Sequence, residues 1–226
     1  FTSKERKTFR NTNTLNYDFK KLLKSKNHSL NLLVGQELVK VKSNTDTDEV
    51  RFYPKLFTAD QAFNMSSQGT AFSTDKFYNA DDVLLSYFGR ANYDYQGKYL
   101  ASATFRADGS SKFSEGNRWG FFPSAAIAWR MSSEHFMENT KSWLDDLKLR
   151  VSYGTAGNNN IPSDQTSTIW SAGTGTSIGW MNGMSSFWTT GSQMANPNLK
   201  WETTHTRNVG LDFTLLSGKL SGTVEY

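Results

Sequence analysis

Cysteine is absent from the 226 residues, so neither a disulfide nor a thiolate metal site can form. Proline is scarce, with 4 residues against 17 glycines, which suits strands joined by turns better than disordered chain. No run approaches the ~18 consecutive apolar residues of a membrane-spanning helix, and that excludes helical membrane proteins only. A spanning strand needs about 9–11 residues with every second one apolar, so a polar average composition is no obstacle to a barrel. A formal net charge of +4 is too small to argue for nucleic acid as a partner. Position 1 is Phe rather than an initiator Met, no apolar leader follows, and Tyr226 falls inside an alternating run. Both ends are therefore expected to be cut.

What the chain does have is aromatics, at 14%, and alternation. In residues 84–95 one parity reads Leu85, Tyr87, Gly89, Ala91, Tyr93, Tyr95 and the other Ser86, Phe88, Arg90, Asn92, Asp94. The same pattern recurs in 99–108, 147–154 and 220–226, and strands also fit 14–20, 29–40, 119–130 and 203–215. About eight strands are expected, with no helical periodicity.

The connections alternate in length. Residues 20–28, 96–98, 131–146 and 217–218 are short or compact, with Ser142-x-x-Asp145 patterned like a helix-capping box. Residues 41–83 and 156–202 are very long, and 109–118 is intermediate and rich in Gly, Ser and Asn. Alternation of this kind puts short turns at one end of an antiparallel sheet and long loops at the other. Outer-membrane barrels have that layout, with short periplasmic turns and longer extracellular loops. Aromatics gather near strand ends, Tyr93, Tyr95 and Tyr99 by one turn and Trp119, Phe121 and Phe122 by the opposite rim, as membrane-interface girdles do. The polar parity, with Arg90, Asn92, Asp94, Arg106, Lys148 and Arg150, is expected to face a wet or polar-filled lumen. A mid-plane Arg or Lys facing lipid would cost about 2–4 kcal/mol.

Several stretches then resemble one family closely. They are Tyr87-Phe-Gly-Arg-Ala-Asn-Tyr-Asp-Tyr-Gln-Gly-Lys-Tyr99, Phe105-Arg-Ala-Asp-Gly-Ser-Ser-Lys-Phe113, Gly120-Phe-Phe-Pro-Ser124 and Ala128-Trp-Arg130. Leu147-Lys-Leu-Arg-Val-Ser-Tyr-Gly-Thr-Ala-Gly-Asn158, Asn196-Pro-Asn-Leu-Lys-Trp-Glu202 and Asn208-Val-Gly-Leu-Asp-Phe213 continue the series in order. Together they resemble the SusC/RagA family of TonB-dependent outer-membrane transporters of Bacteroidota. The resemblance implies an all-β, antiparallel transmembrane barrel of the large plugged kind, of which residues 1–226 are one part, with 41–83 and 156–202 extracellular. It also implies a plug, a TonB box and closing strands, all outside these residues, and outer-membrane lipid or LPS around the wall. The implied partners are a SusD-like lipoprotein, TonB, and a glycan or oligopeptide cargo.

Patterns for catalysis or metal binding are weak beside this. Gly175-Thr-Ser177-Ile-Gly179 fits G-x-S-x-G but lacks the strand before and helix after that a nucleophile elbow needs, so no catalytic residue is expected. His28, His135 and His205 have no ligand spacing, and Asp46-Thr-Asp48-Glu49 lacks a full calcium-loop pattern, so no metal or cofactor is expected. The segment 170–201 carries Trp170, Trp180, Phe187, Trp188 and Trp201 with Met181 and Met184. Exposed rings suit stacking on sugars, making Trp170, Trp180, Phe187 and Trp188 candidate substrate contacts; packing of loops or of a partner lipoprotein is the plainer reading. Import is thus the leading function, with a passive or structural barrel and a soluble carbohydrate-binding β-module as alternatives.

Overall fold

The computed structural model describes residues 2–19, 27–78, 80–168, 170–173, 187–190 and 194–226. Its strands are β1 (Thr2–Asp18), β2 (His28–Arg51), β3 (Thr70–Tyr78), β4 (Asp82–Tyr95), β5 (Tyr99–Ser110) and β6 (Trp119–Arg130). They continue with β7 (Leu144–Asn158), β8 (Trp170–Gly173), β9 (Phe187–Thr190), β10 (Glu202–Leu215) and β11 (Leu220–Glu225). One antiparallel sheet takes the order β1-β2-β4-β5-β6-β7-β10-β11, so neighbours in space are neighbours in sequence apart from the excursions. β3 pairs the far half of β2, and β8 with β9 forms a separate pair.

The eight expected strands all form; three further ones lie in the long connections. The 41–83 segment is not a loop along its length. β2 has 24 residues and runs on to Arg51, and β3 returns against 44–51 beyond the end of β4. Alternation weakens there into a polar run, which is why the strand was not legible. Between β2 and β3 sits the short helix α1 (Ala59–Asn64), and here a capping box does form, between Thr58 and Gln61. The one expected at Ser142 does not. No helix follows Ser142, because Asp145 already belongs to β7, where it accepts the Gly218 N–H at 3.0 Å from the neighbouring turn.

Directly opposed residues of an antiparallel pair share a face, so the register sorts the whole sheet. One row reads Tyr93, Ala101, Ile127, Val151, Val209, and the row below it Tyr95, Tyr99, Trp129, Leu149, Leu211, Val224. The opposite face carries Asp94, Leu100, Ala128, Arg150 and Gly210, then Asn92, Ser102, Ala126, Ser152 and Asn208, then Arg90, Thr104, Ser124, Gly154 and Thr206.

Among the described residues, neither face of the sheet is covered by a second sheet. Among the described residues the buried hydrophobics are Ala107, Phe113, Phe122 and Leu144, while Val34, Phe105 and Ile127 on the apolar face are 50%, 51% and 61% exposed. A water-soluble sandwich would bury that face against another sheet. A single sheet with one apolar face instead needs a non-aqueous surrounding. The band has the right height: the ten steps from Tyr95 up to Leu85 span about 33 Å along the strand, or about 25 Å after a tilt of ~40°. Its lower border stacks Tyr95 on Tyr99 and Tyr99 on Trp129, with centroids 6.1 and 6.4 Å apart. Its upper border stacks Tyr87 on Trp119 and Phe105 on Phe121. Phe122 does not join that girdle. Strand periodicity sends it to the face opposite Phe121, where it is 5% exposed.

Candidate functional site: a polar wall and a loop-end clasp

Small side chains at Ser102, Ala126, Ala128, Ser152 and Gly154 leave the polar face hollow in its middle, and Arg90, Asp94 and Arg150 stand at the margins. Two fixed ion clusters bound it along the sheet. Toward the short turns, Arg150 donates to both carboxylate oxygens of Asp212 at 2.8 and 2.9 Å and to Glu225 at 2.6 Å. Lys148 lies 3.0 Å from the same Asp212, which also accepts from Thr223. Toward the long loops, Arg106 donates to Asp108 at 2.8 Å and to the buried Ser86 hydroxyl at 2.9 Å. The register therefore brings Arg90, Asn92, Asp94, Arg106, Lys148 and Arg150 onto one face, as their parity predicts.

At the loop end this face closes over a small aromatic core that the sequence reading missed. Phe113, 2% exposed, packs on Trp201 with centroids 5.4 Å apart, and Trp201 meets Phe122 edge-on at 5.3 Å. The indole N–H of Trp201 donates to the Arg118 carbonyl at 2.8 Å. A Cβ on Gly157 would lie 2.0 Å from the Phe122 ring, and one on Gly120 would meet both Phe122 and Trp201. Only glycine admits these rings. Hydrogen bonds tie the surrounding loops to the core. Lys112 donates to the Ile161 carbonyl, Asn159 to Ser110, Asn117 to the Pro197 carbonyl, and Ser163 to Asp82. Asn196 caps the turn at 196–198 with its own side chain on the Asn198 N–H and fixes it to Gln165 through its N–H. Four stretches quoted above for their resemblance thus meet at one place. Their distinctive composition was visible; their meeting was not.

The short-turn end differs. Gln96 and Gly97 both take positive φ in a two-residue turn, and Asp94 accepts the Gly97 N–H at 2.6 Å. Glu134 accepts from Trp129 at 3.2 Å, from Tyr99, and from Lys98 at 3.2 Å.

Of the other candidates, Trp170 lies on β8, Phe187 and Trp188 lie on β9, and Trp180 lies outside the described residues, as does the 175–179 pattern. His28 and His205 each pair with a tyrosine hydroxyl, Tyr93 at 2.8 Å and Tyr153 at 2.9 Å. Extended β2 sends Glu49 to the side opposite Asp46 and Asp48, so the three do not converge. Asp108 and Gly109 continue β5, so the expected 109–118 connection starts later, and a Cβ on Gly109 would lie 3.0 Å from the Trp119 ring.

The sequence matches the family described as TonB dependent receptor-like, beta-barrel, over residues 1–226. The chain belongs to that family. It is of the SusC/RagA kind. It is 40% identical over 148 residues, 66% of its length, to TonB-dependent receptor SusC of Bacteroides thetaiotaomicron. To TonB-dependent receptor P26 of Formosa agariphila it is 31% identical over 232 residues, 97% of its length. Among solved structures, that of the RagAB peptide transporter superposes over 99% of the chain with a TM-score of 0.80 at 24% identity. The chain spans 15% of SusC, 21% of P26 and 23% of the RagAB structure's matched chain. TonB-dependent receptors are outer-membrane β-barrels of Gram-negative bacteria and act as transporters, not enzymes. The apolar face is accordingly the one that meets lipid.

Proposed function

We propose that residues 1–226 form wall and outer rim within the single barrel domain of an energy-coupled importer that takes up oligopeptides with a SusD-like lipoprotein on its outer side. TonB drives it through a part of the protein outside these residues. The observation that carries this is the division of the sheet: a lipid-matched apolar face, and a polar face whose charges are held in fixed clusters around a hollow wall. That polar face, with Arg90, Asn92, Asp94, Arg106, Lys148 and Arg150, lines the lumen. Segments 41–83 and 156–202 stand outside the cell. The loops are clasped to the wall by Phe113, Trp201 and Phe122, which suits an entrance that opens and closes as a unit. Likeness to the RagAB peptide transporter supports the peptide cargo.

A glycan cargo is the second reading, favoured by the aromatic segment with Trp170, Trp180, Phe187 and Trp188. Uptake of fluorescent oligopeptides and labelled oligosaccharides by cells with and without the full-length transporter decides between them. Peptide accumulation that needs both the transporter and TonB is expected. Accumulation of neither class would sink import. Unchanged substrate affinity in Trp180→Ala and Trp188→Ala would remove those residues as contacts. The orientation of the wall has its own check. Ala103→Arg, opposite Ala91 in the middle of the apolar band, is expected to cost about 2–4 kcal/mol of barrel stability, and Ser102→Arg, one residue before it, far less. Equal costs would mean the faces are misassigned.

A further inference from the structure

The lipid-facing side is not evenly filled. A hollow of about 350 Å³ opens in it just above the lower aromatic border. Ala101 is its floor, because this small residue stands between Tyr93 and Ile127 in one cross-strand row. Val151 extends the side beyond Ile127, and the stacked pair Tyr99 and Trp129 closes the lower end. Its lining is carbon, apart from the polar tips of the rings. An apolar void of about 150 Å³ already takes up benzene, so a dry hollow more than twice that size within a bilayer is filled by hydrocarbon.

Its lower lip is dipolar. Tyr99 and Trp129 both donate to Glu134, the Glu134 carboxylate lies 3.2 Å from the Lys98 ammonium, and both charged groups keep part of their surface exposed. A carboxylate beside an ammonium is the charge complement of a phosphate beside an ammonium, with each partner's cation against the other's anion. Aromatic N–H and O–H groups at this height also mark the depth at which headgroups lie.

We infer that this hollow is a binding site for one phospholipid with a phosphoethanolamine headgroup, its acyl chain over Ala101 between Tyr93 and Ile127 and its headgroup at Lys98 and Glu134. The inference rests on the wall orientation proposed above, which puts the short turns on the periplasmic side and so the site in the phospholipid leaflet. It differs from general lipid contact in having a fixed place for the chain and a selective one for the headgroup.

The test is native mass spectrometry of the delipidated full-length transporter titrated with dioleoyl phosphatidylethanolamine, with dioleoyl phosphatidylglycerol and with LPS. The wild-type protein is expected to retain one phosphatidylethanolamine. Ala101→Phe and the milder Ala101→Leu, which fill the floor, should lose it. Val209→Phe, which adds the same bulk in the same row away from the hollow, should keep it. Glu134→Gln should erase the preference over phosphatidylglycerol while leaving a lipid bound. Retention by both Ala101 variants, or wild-type protein that binds phosphatidylglycerol or LPS as well as phosphatidylethanolamine, would overturn the inference. Heat-resistant migration of each variant verifies folding. Labelled peptide and oligosaccharide uptake, measured in parallel, keeps the two readings separate: lost lipid selectivity with uptake intact ends the lipid site alone, and absent uptake of both classes in wild type ends the importer.

Discussion

The two ends of the sheet are built on different principles. At the short-turn end each hairpin closes on local partners, Asp94 with Gly97 and Ser132 with Asp146 at 2.7 Å, and Lys98 with Glu134 and Asp145 with Gly218 then tie one turn to the next. Each turn has its own closure before those ties form. At the loop end Phe113 meets Trp201, Ser163 meets Asp82 and Asn117 meets Pro197, contacts that exist only once the wall has placed its strands side by side. The turn end can form as each hairpin forms. The loop end depends on all of them.

The strongest way to break this contrast is Phe113→Ala. Emptying a site that is 2% exposed is expected to cost about 3–5 kcal/mol locally. Because the lost contacts join loops rather than strands, proteolysis and amide exchange should rise in 111–118 and 194–201 while β6 and β7 stay protected. Uniform loss of protection across the sheet would show that the clasp and the wall are one cooperative unit. Gly157→Ala attacks the same cluster from its other side. The added methyl must displace the Phe122 ring, itself wedged by Trp201, at a cost of about 1–3 kcal/mol. Combined with Phe113→Ala it should cost less than the two singles added, since they share the Phe122–Trp201 contact. Strict additivity would deny that the cluster is shared.

At the other end Gly97→Ala is the counterpart. The backbone there has φ of 67°, where a Cβ costs about 1–2 kcal/mol. The effect should stay within the β4–β5 hairpin, with faster amide exchange at Tyr95 and Tyr99 and no change at Phe113. Spread of the effect to the loop end would erase the distinction between the ends.

This difference also explains what could be read in advance. Alternation marks Tyr93, Ile127 and Val151 on one face and Asp94, Arg150 and Ser152 on the other because strand geometry has a fixed period, and the register agrees residue by residue. The Gln96-Gly97 turn was legible for the same local reason. Phe122 was misplaced by proximity to Phe121, where its parity already argued for the other face. The run from Val41 to Arg51 carries polar residues on both faces of β2, so its strand had no hydrophobic signature. The clasp was out of reach on principle. Trp201 stood out by composition, and nothing in the chain says that its ring rests on Phe113, 88 residues earlier in the sequence.

The smallest expected effect concerns pH at the turn end. Hydrogen bonds from Tyr99, then from Trp129, hold the Glu134 carboxyl below the usual glutamate range; burial acts against them and Lys98 adds to them. A carboxylate whose folded pKa is depressed adds stability that is fully present above its unfolded pKa, about 4.3, and is lost as pH falls through the lower folded value. The 131–143 connection should therefore hold its protection at neutral pH and loosen only below about pH 4. Amide exchange in that connection between pH 3 and 6 measures it, with Glu134→Gln as the comparison. The variant keeps an acceptor for Tyr99 and Trp129 but has no proton to gain, so its protection should be flat across the range. A variant that loosens with acid as the native chain does would locate the sensitivity in a group other than Glu134. The two ends would then part further: an acid-sensitive turn end built on charge, and a loop end whose aromatic clasp has no group in its core to titrate.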